Sequence, residues 1–477
     1  MSRVVATVCL TLAVAGCAIR TPIATPVVDT GTAFRNETAS AASVLRDRWW
    51  TQLGDPRLDS LVDRAIAASP ELQAVIARLQ ALEAELRVQL ARRRPSVNAL
   101  AEAERRKFPQ GPVLQGGGAL LDTGGDGPTI FNRYAIGLEA SYEFDFWGGI
   151  AAGVRAARGD LEAERADLEV ARRVLVANVV DAYLDAGAVR ARLVLLEEQR
   201  EVAGRIAALR RRQLAAGTST RSEVNRADAE IGRITGGIQD ARKLDAQAVV
   251  RLAVLVGESP TTSAIQLVSR PLPACPAIRA GIPASVLGAR PDVRAATARL
   301  FAAGARFDEA EAARYPNVVF SASLGPTAPR TRDLDGDRAL GWAWGPRLVL
   351  PVFDAGARKA RAAAAQALIR EREAQYRQTV LRALEEVEVA LAGLAADDRA
   401  LDARRTLLDL ALTDLRQAET RRRAGREGVL PSLELQINRA TAAAQTIEAE
   451  REKLRSWVAL VRALGTGPTP DRETATP

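Results

Sequence analysis

The sequence predicts a mainly α-helical protein with a small membrane-spanning β part, built as two copies of one helix–strand–strand–long helix–helix unit. Three observations carry this. The chain is rich in Ala, Leu, Arg and Glu and only 4% aromatic, which favours long helices. Tyr134 to Phe146 alternates strictly, with Tyr134, Ile136, Leu138, Ala140, Tyr142, Phe144 and Phe146 on one face and Ala135, Gly137, Glu139, Ser141, Glu143 and Asp145 on the other. That period of two describes a strand with one apolar and one polar face. From Gly149 to Gly217 there is then no proline, and a helix of that length would run roughly 100 Å.

Composition bounds the chemistry. The chain has no histidine, which removes the commonest general base and metal ligand. Of its three cysteines, Cys9, Cys17 and Cys275, the first lies in a segment expected to be removed, so neither a disulfide framework nor a zinc site can be built. Ser-His, Cys-His and His-metal enzymes are excluded, and no clustered acid pair or phosphate loop is found, so no enzyme activity and no cofactor are expected. The formal charge of +8 becomes +7 without residues 1–16, which carry only Arg3. Arginines alternate with glutamates along helical faces instead of clustering with aromatics, so nucleic acid is not an expected partner.

The N-terminus reads as an export signal over residues 1–16. Arg3 precedes an apolar run from Val4 to Val14, too short to span a bilayer, and Val14-Ala15-Gly16-Cys17 follows. That ending resembles a bacterial lipobox, which makes Cys17 the lipidated first residue of the mature chain, and Ala18 after it favours sorting to the outer membrane. Residues 17–56 form a lipid-anchored tether containing Pro22 and Pro26, ending in Trp49-Trp50 and the turn Leu53-Gly54-Asp55-Pro56.

Unit one covers residues 57–257. Its first helical pattern runs from Arg57 to Arg93, with a break at Ser69-Pro70-Glu71, where an N-cap, an N1 proline and an early acid restart it. Strands are expected at 95–107 and 134–147. A linker, 258–283, leads to unit two, 284–465, with strands at 316–327 and 341–353, and a tail, 466–477. The duplication is visible without gaps at a spacing of 221 (291 − 70), where Pro70, Arg78, Leu79, Pro95 and Val97 meet Pro291, Arg299, Leu300, Pro316 and Val318. Later the spacing is 207 (353 − 146), where Phe146, Gly149, Leu161 and Leu184 meet Phe353, Gly356, Leu368 and Leu391.

The connections Gly111–Gly127 and Gly325–Leu340 are Gly- and Asp-rich. Asp333-Leu334-Asp335-Gly336-Asp337 lacks the closing acid of a calcium loop and reads as a solvated hairpin tip. Strands of this length suffice to cross a bilayer, and Trp147, Trp342 and Trp344 would suit an aromatic girdle; a soluble hairpin packed on a helix satisfies the same pattern. In unit two a long helix, 357–424, carries a heptad seam through Val380, Leu384, Val387, Leu391 and Leu394, continued by Leu401, Leu408, Leu412 and Leu415. The long helices fold back at Gly217-Thr218-Ser219 and at Gly425 to Pro431, and return helices follow at 220–256 and 433–464. Four strands cannot close a membrane barrel, so other copies would complete it, with eight strands as a dimer, twelve as a trimer, or more.

Trp49-Trp50 with Leu53-Gly54-Asp55-Pro56, Tyr142-Glu143-Phe144-Asp145-Phe146-Trp147-Gly148, Arg290-Pro291-Asp292, Pro351-Val352-Phe353-Asp354-Ala355-Gly356 and Ala459-Leu460-Val461-Arg462-Ala463-Leu464-Gly465 together resemble TolC-type outer-membrane efflux proteins, closest to the OprM/NodT-like lipoprotein branch. The resemblance runs in order from about Trp49 to Gly465. It implies a homotrimer with one twelve-stranded barrel in the outer membrane, continued by a long periplasmic α-helical barrel. It implies a passive exit duct in a tripartite efflux system, fed by a periplasmic adaptor and an inner-membrane pump of the RND type, with drugs or other small toxic compounds as cargo. At the inner mouth it assigns gate positions to Leu430 and Glu434, while Pro431 stands where some relatives carry a further acid. Three copies of Glu434 would ring a cation-attracting constriction. The tips Gly217, Thr218 and Gly425, with the arginine runs Arg210, Arg211, Arg212 and Arg421, Arg422, Arg423, would dock the adaptor, although cations also suit the last turns of any helix. A lipid-anchored periplasmic adaptor or scaffold without a pore is the alternative reading.

Overall fold

The computed structural model describes residues 18–36, 48–108, 113–114, 120–121, 129–263, 265, 267, 270–278, 283–336 and 338–465. Cys17, the export signal, most of the loop 111–127, Asp337 and the tail from 466 lie outside the described residues. A short 3-10 turn, Trp49–Leu53, precedes α1 (Pro56–Ala68) and α2 (Pro70–Ala91). Strands β1 (Ser96–Phe108), β2 (Val113–Leu114), β3 (Leu120–Leu121) and β4 (Thr129–Phe144) lead to α3 (Gly149–Ala215) and α4 (Arg221–Leu255). The second half supplies α5 (Pro283–Ala289), α6 (Pro291–Ala312), β5 (Asn317–Ala328), β6 (Leu340–Val349), α7 (Ala357–Arg423) and α8 (Val429–Ala463).

The expected break at Ser69 is present. Asp55 caps α1 through the Arg57 amide, Pro56 fills its first turn, and Ser69 closes it before Pro70 opens α2. The duplication is exact in element length: α2 and α6 have 22 residues each, α3 and α7 have 67, and α4 and α8 have 35. The early spacing of 221 holds from α2 to α6. The later spacing is 208 (357 − 149 and 463 − 255), not 207. A one-residue shift turns an alanine-rich helix by about 100°, and at the level of residue identity the two alignments are nearly equal.

Two compact units result, and each draws on both halves of the chain. The first comprises residues up to Thr25, Ala81–Leu161 and Ala298–Glu373. It holds a four-stranded antiparallel sheet in the order β1-β4-β5-β6, with β2 and β3 forming a small separate ladder in the loop between β1 and β4. Strand β4 ends at Phe144, three residues before the sequence pattern suggests, because Asp145 leaves the ladder to cap α3. Its carboxylate accepts from the Ile150 amide at 3.0 Å and the Ala151 amide at 2.7 Å. Asp354 caps α7 likewise, accepting from the Arg358 amide at 3.1 Å and from the Gly356 amide just before the helix at 3.0 Å. Strand β6 stops at Val349, ahead of Pro351, which has no N–H to donate.

Where β4 passes β5 the strands come unusually close. A Cβ on Gly325 would lie 2.1 Å from the Ile136 carbonyl oxygen, and one on Gly137 would lie 2.7 Å from that of Leu324. The N-terminal segment lies along the same unit. Ile19 N–H donates to the Trp147 carbonyl at 3.1 Å and Thr21 N–H to Asp308 at 2.9 Å. The Ile23 side chain fills the notch left by Gly304. Trp147 is therefore a packing residue, stacked on Tyr315 at 4.7 Å and donating from its indole to the Pro316 carbonyl at 2.8 Å. It is half-buried, whereas Trp342 and Trp344 are exposed.

The second unit comprises Pro26–Gln80, Glu162–Thr297 and the chain from Ala374 onward. Its core gathers Trp49, Trp50, Leu58, Val62, Val176, Val180, Leu184, Leu252 and Trp457. Trp49 meets Trp457 edge-on at 5.4 Å. The expected seam on α7 is buried at Val380, Val387, Leu391 and Leu401, but Leu412 is exposed. In the sheet of the first unit, a Cβ on Gly345 of β6 would meet nothing within 4 Å, unlike one on Gly325. Gly325→Ala is therefore expected to destabilise the folded protein by about 1–3 kcal/mol through overpacking, whereas Gly345→Ala leaves it unchanged; the thermal midpoint of each variant in detergent measures the difference.

Candidate functional site

The four strands place every second residue on a common face, and the registers fix which residues share it. Leu138 pairs with Ala99 on one side and with Leu324 on the other, and Leu324 pairs with Trp342. One layer away Ala140 meets Ala322, which meets Trp344, and two layers away Tyr142 meets Phe320. This face is apolar across all four strands and open to solvent in the single chain: Trp342 is 72% exposed and Trp344 66%. From Leu340 to Leu348 it extends about 26 Å along the strand, the scale of a membrane barrel's outer band.

The opposite face carries Asn98, Glu102, Glu104 and Arg106 on β1, Arg133, Glu139, Ser141 and Glu143 on β4, Ser321 and Ser323 on β5, and Arg347 on β6. Arg133 lies 3.8 Å from Glu102, and Arg106 contacts Glu104. Among the described residues the outer edges of β1 and β6 have no partner strand in the sheet. The sheet is thus amphipathic and open at both ends.

In the second unit both long helices end in the same device. Gly217, at φ 74°, lets Thr218 N–H reach the Gln213 carbonyl at 2.8 Å while its own N–H meets Leu214 at 3.0 Å. Gly425, at φ 68°, repeats this with Arg426 to Arg421 at 2.9 Å and Gly425 to Arg422 at 3.0 Å. Both are Schellman closures, which need a left-handed residue and hence glycine. Thr220 then caps α4, its hydroxyl accepting from the Glu223 amide while Glu223 returns to the Thr220 amide at 2.9 Å. The Thr220 backbone N–H, followed by the Ser219 hydroxyl, holds the Glu223 carboxylate down at about 2. The second turn differs: Gly428 replaces the hydroxyl cap, and α8 starts at Val429. Leu430 and Pro431 therefore sit in the first helical turn and not in a loop, a position where proline costs no hydrogen bond.

The expected site residues divide. Arg210 lies between two acids on different helices, 3.5 Å from Glu223 on α4 and 3.9 Å from Glu434 on α8. Leu430 is partly buried and Glu434 is exposed. Arg211 pairs with Asp228, Arg421 with Glu427 at 3.0 Å, and Arg423 with Glu419 at 3.7 Å. Arg212 and Arg422 are exposed and carry no ion pair among the described residues, and the same is true of Arg221, Arg226 and Arg426. Sequence reasoning missed these last three, although Arg426 lies within the second predicted tip and Arg221 and Arg226 within seven residues after the first. Arg290 was named only within a motif. Its guanidinium joins Asp292 and Glu386, each at 2.7 Å, to the Ala463 carbonyl at 2.6 Å, tying the start of α6 to α7 and the end of α8.

Among the described residues no group of three or more His, Cys, Asp or Glu could hold a metal ion, and no helix is long and apolar enough to cross a membrane. The model of the outer membrane efflux protein family matches residues 61–258 and 282–466. The chain is 31% identical over 438 residues to the pyoverdine export outer membrane protein OpmQ of Pseudomonas aeruginosa, covering 91% of this chain and 90% of that protein. It is 27% identical over 435 residues to nodulation protein T of Rhizobium leguminosarum bv. trifolii, covering 88% of each. Among solved structures the outer-membrane channel OprN superposes with a TM-score of 0.85 at 29% identity, over 95% of this chain and all of that one. The Campylobacter jejuni CmeC channel, at 20% identity and a TM-score of 0.83, shares the fold.

Removing the Thr220 cap is expected to cost about 1 kcal/mol at the start of α4; Thr220→Ala should speed amide hydrogen exchange at 221–224 and leave the start of α8 unaffected. Because the Glu223 carboxylate is lowered, its contribution is complete above the ordinary value of 4.5 and disappears only as pH falls through about 2. Exchange at these amides should stay constant from pH 7 to 5 once corrected for intrinsic rates.

Proposed function

Because the chain belongs to the outer membrane efflux protein family, and so is an outer-membrane channel component of an efflux system, we propose that three copies assemble into one continuous exit duct. The observation that carries the assembly is the amphipathic sheet with two open edges. Exposed N–H and C=O groups are not tolerated in hydrocarbon, so β1 of one copy pairs with β6 of the next. Three copies of four strands close a twelve-stranded barrel. Its apolar face, with Trp342 and Trp344, meets lipid, and its polar face, with Glu139, Glu143 and Arg347, lines the lumen. A pore-free periplasmic scaffold leaves this apolar face unexplained.

In this reading the duct is passive and performs no chemistry. Cargo, such as drugs or other small toxic compounds, arrives from an inner-membrane pump of the RND type through a periplasmic adaptor. Members of the family act in tripartite pumps with adaptors and inner-membrane transporters. Cys17 is the lipid-bearing first residue. Ala18 next to it packs against Gly148 just past the end of β4, which fits an anchor at the base of the barrel.

The tips form the inner mouth. Arg210 latches Glu223 of its own hairpin to Glu434 of the other, at 3.5 and 3.9 Å. A half-exposed ion pair is worth about 0–1 kcal/mol, so three copies resist opening by a few kcal/mol at most, within reach of a bound partner. Glu434 is therefore a latch residue in the closed mouth and a lumen charge only when released. The unpaired Arg212, Arg221, Arg226, Arg422 and Arg426 give the tip a basic rim for an acidic adaptor surface. Pro431 leaves the rim without a second acidic ring.

The purified protein in planar bilayers should conduct as a trimer with small, rarely opening currents; a protein that never conducts defeats the duct. Arg210→Ala and Glu434→Ala should each raise conductance or open probability severalfold, and the double variant should add little beyond either, since both break one latch. Charge reversal at Arg422 and Arg426 should reduce adaptor co-purification from cross-linked cells without altering trimer yield.

A further inference from the structure

The second unit contains a groove of about 520 Å³ between α3, α4 and α8, away from the tips. Its position on α3 tells which way it opens. Tyr183, Leu184 and Gly187 line a different cleft, formed with Leu53 and Leu272 of the segments that cover α3. Ala182, Asp185, Val189 and Arg192 line the groove. At 100° per residue the two sets occupy opposite faces of the helix. On α8 the covered face presents Leu454, Trp457 and Val461 to the core, while Glu448, Glu452 and Arg455 line the groove. The groove thus faces away from the covering segments, toward the inside of the tunnel in the assembly proposed above.

Its charges are unevenly satisfied. The Arg451 side chain is 6% exposed; Nε donates to Asp185 at 2.5 Å and Nη2 lies 3.5 Å from Asp181, but Nη1 is buried with no partner. Arg192 reaches Glu448 only at 3.7 Å, and Arg455 reaches Glu452 only at 3.9 Å. Arg251, from α4, is exposed and has no ion pair or hydrogen bond among the described residues. The acids of the groove are thus each held by an arginine, while guanidinium donors are left over. Guanidinium groups bind planar carboxylates through paired N–H donors.

We propose that this groove is an anion subsite on the tunnel wall that takes a small organic solute bearing two or more carboxylates, with Arg251 and Arg192 as its principal contacts. The proposal rests on the duct reading for its place on the inner wall, though the groove itself belongs to a single chain. Three copies would set a ring of such subsites part-way along the helical tunnel. They would enrich polycarboxylate cargo there without holding it permanently, because each contact stays open to water.

The test uses citrate as the probe. Isothermal titration of the full-length protein in detergent should show one citrate per chain, and Arg251→Glu should weaken it about tenfold, with Arg192→Gln intermediate. In planar bilayers citrate should reduce the wild-type current, and this block should weaken by a similar factor in Arg251→Glu. Spermidine, a polycation of comparable size, should not block. Wild-type protein that binds no citrate, or an Arg251→Glu variant that binds and is blocked as strongly as wild type, overturns the subsite. Binding without any conduction keeps the subsite and defeats the duct; conduction without binding does the reverse.

Discussion

Backbone hydrogen bonding at the edges of a four-stranded sheet is the constraint on which the rest of the structure depends. Strands β1 and β6 each present one row of amide and carbonyl groups with no neighbouring strand among the described residues. In water such an edge is a hazard, and in lipid each unpaired group costs several kcal/mol. The same sheet carries an apolar face that water would oppose and a charged face that lipid would oppose. Closure by further copies resolves all three demands together: edges vanish, the aromatic face meets hydrocarbon and the charged face meets a lumen. The Gly137–Gly325 approach belongs to this logic, since β4 and β5 could not come so close with side chains at that crossing.

A second constraint begins where the strands stop. Asp145 terminates β4 and caps the start of a 67-residue helix, and Asp354, five residues past the end of β6, caps the start of another. A helix that long carries an apolar stripe it cannot bury alone, so it is packed along its length. The Trp49–Trp50–Trp457 core and the Arg290 cluster supply that packing in the middle of the second unit. Near the tips Ala207, Val224 and Leu433 remain buried, but Leu412 is exposed and the contact between the two hairpins at Arg210 is polar and long. A polar, long contact at the tips would suit the opening proposed there.

Much of this was legible in the sequence because it is periodic or punctuated. Alternation placed the strands within a few residues, Pro70 and Pro291 marked helix starts, and Gly217 and Gly425 marked the tips. What escaped was set by partners far away in sequence. Nothing local to Trp147 says that it will stack on Tyr315. Nothing near Arg210 distinguishes it from Arg211, yet one bridges two hairpins and the other only its own. The repeat spacing slipped by one residue because alanine-rich helices match almost as well at 207 as at 208. Leu430 and Pro431 read as a loop because proline usually breaks helices, although in a first turn it does not. The functional assignment of Cys17 rests on its motif and on Ala18 beside it.

The closure of the sheet is the central claim, and disulfide trapping across its edges tests it most directly. One cysteine on the lumen face of β1, replacing Asn98, and one on the lumen face of β6, drawn from Ala343, Gly345 or Arg347, would be introduced into a Cys275→Ser background and oxidised in outer membranes. At least one pair should give covalent dimers and trimers that stop at three chains, because a closed ring leaves no further edge. Cross-links that never join chains, or a ladder that passes three, would contradict the twelve-stranded barrel.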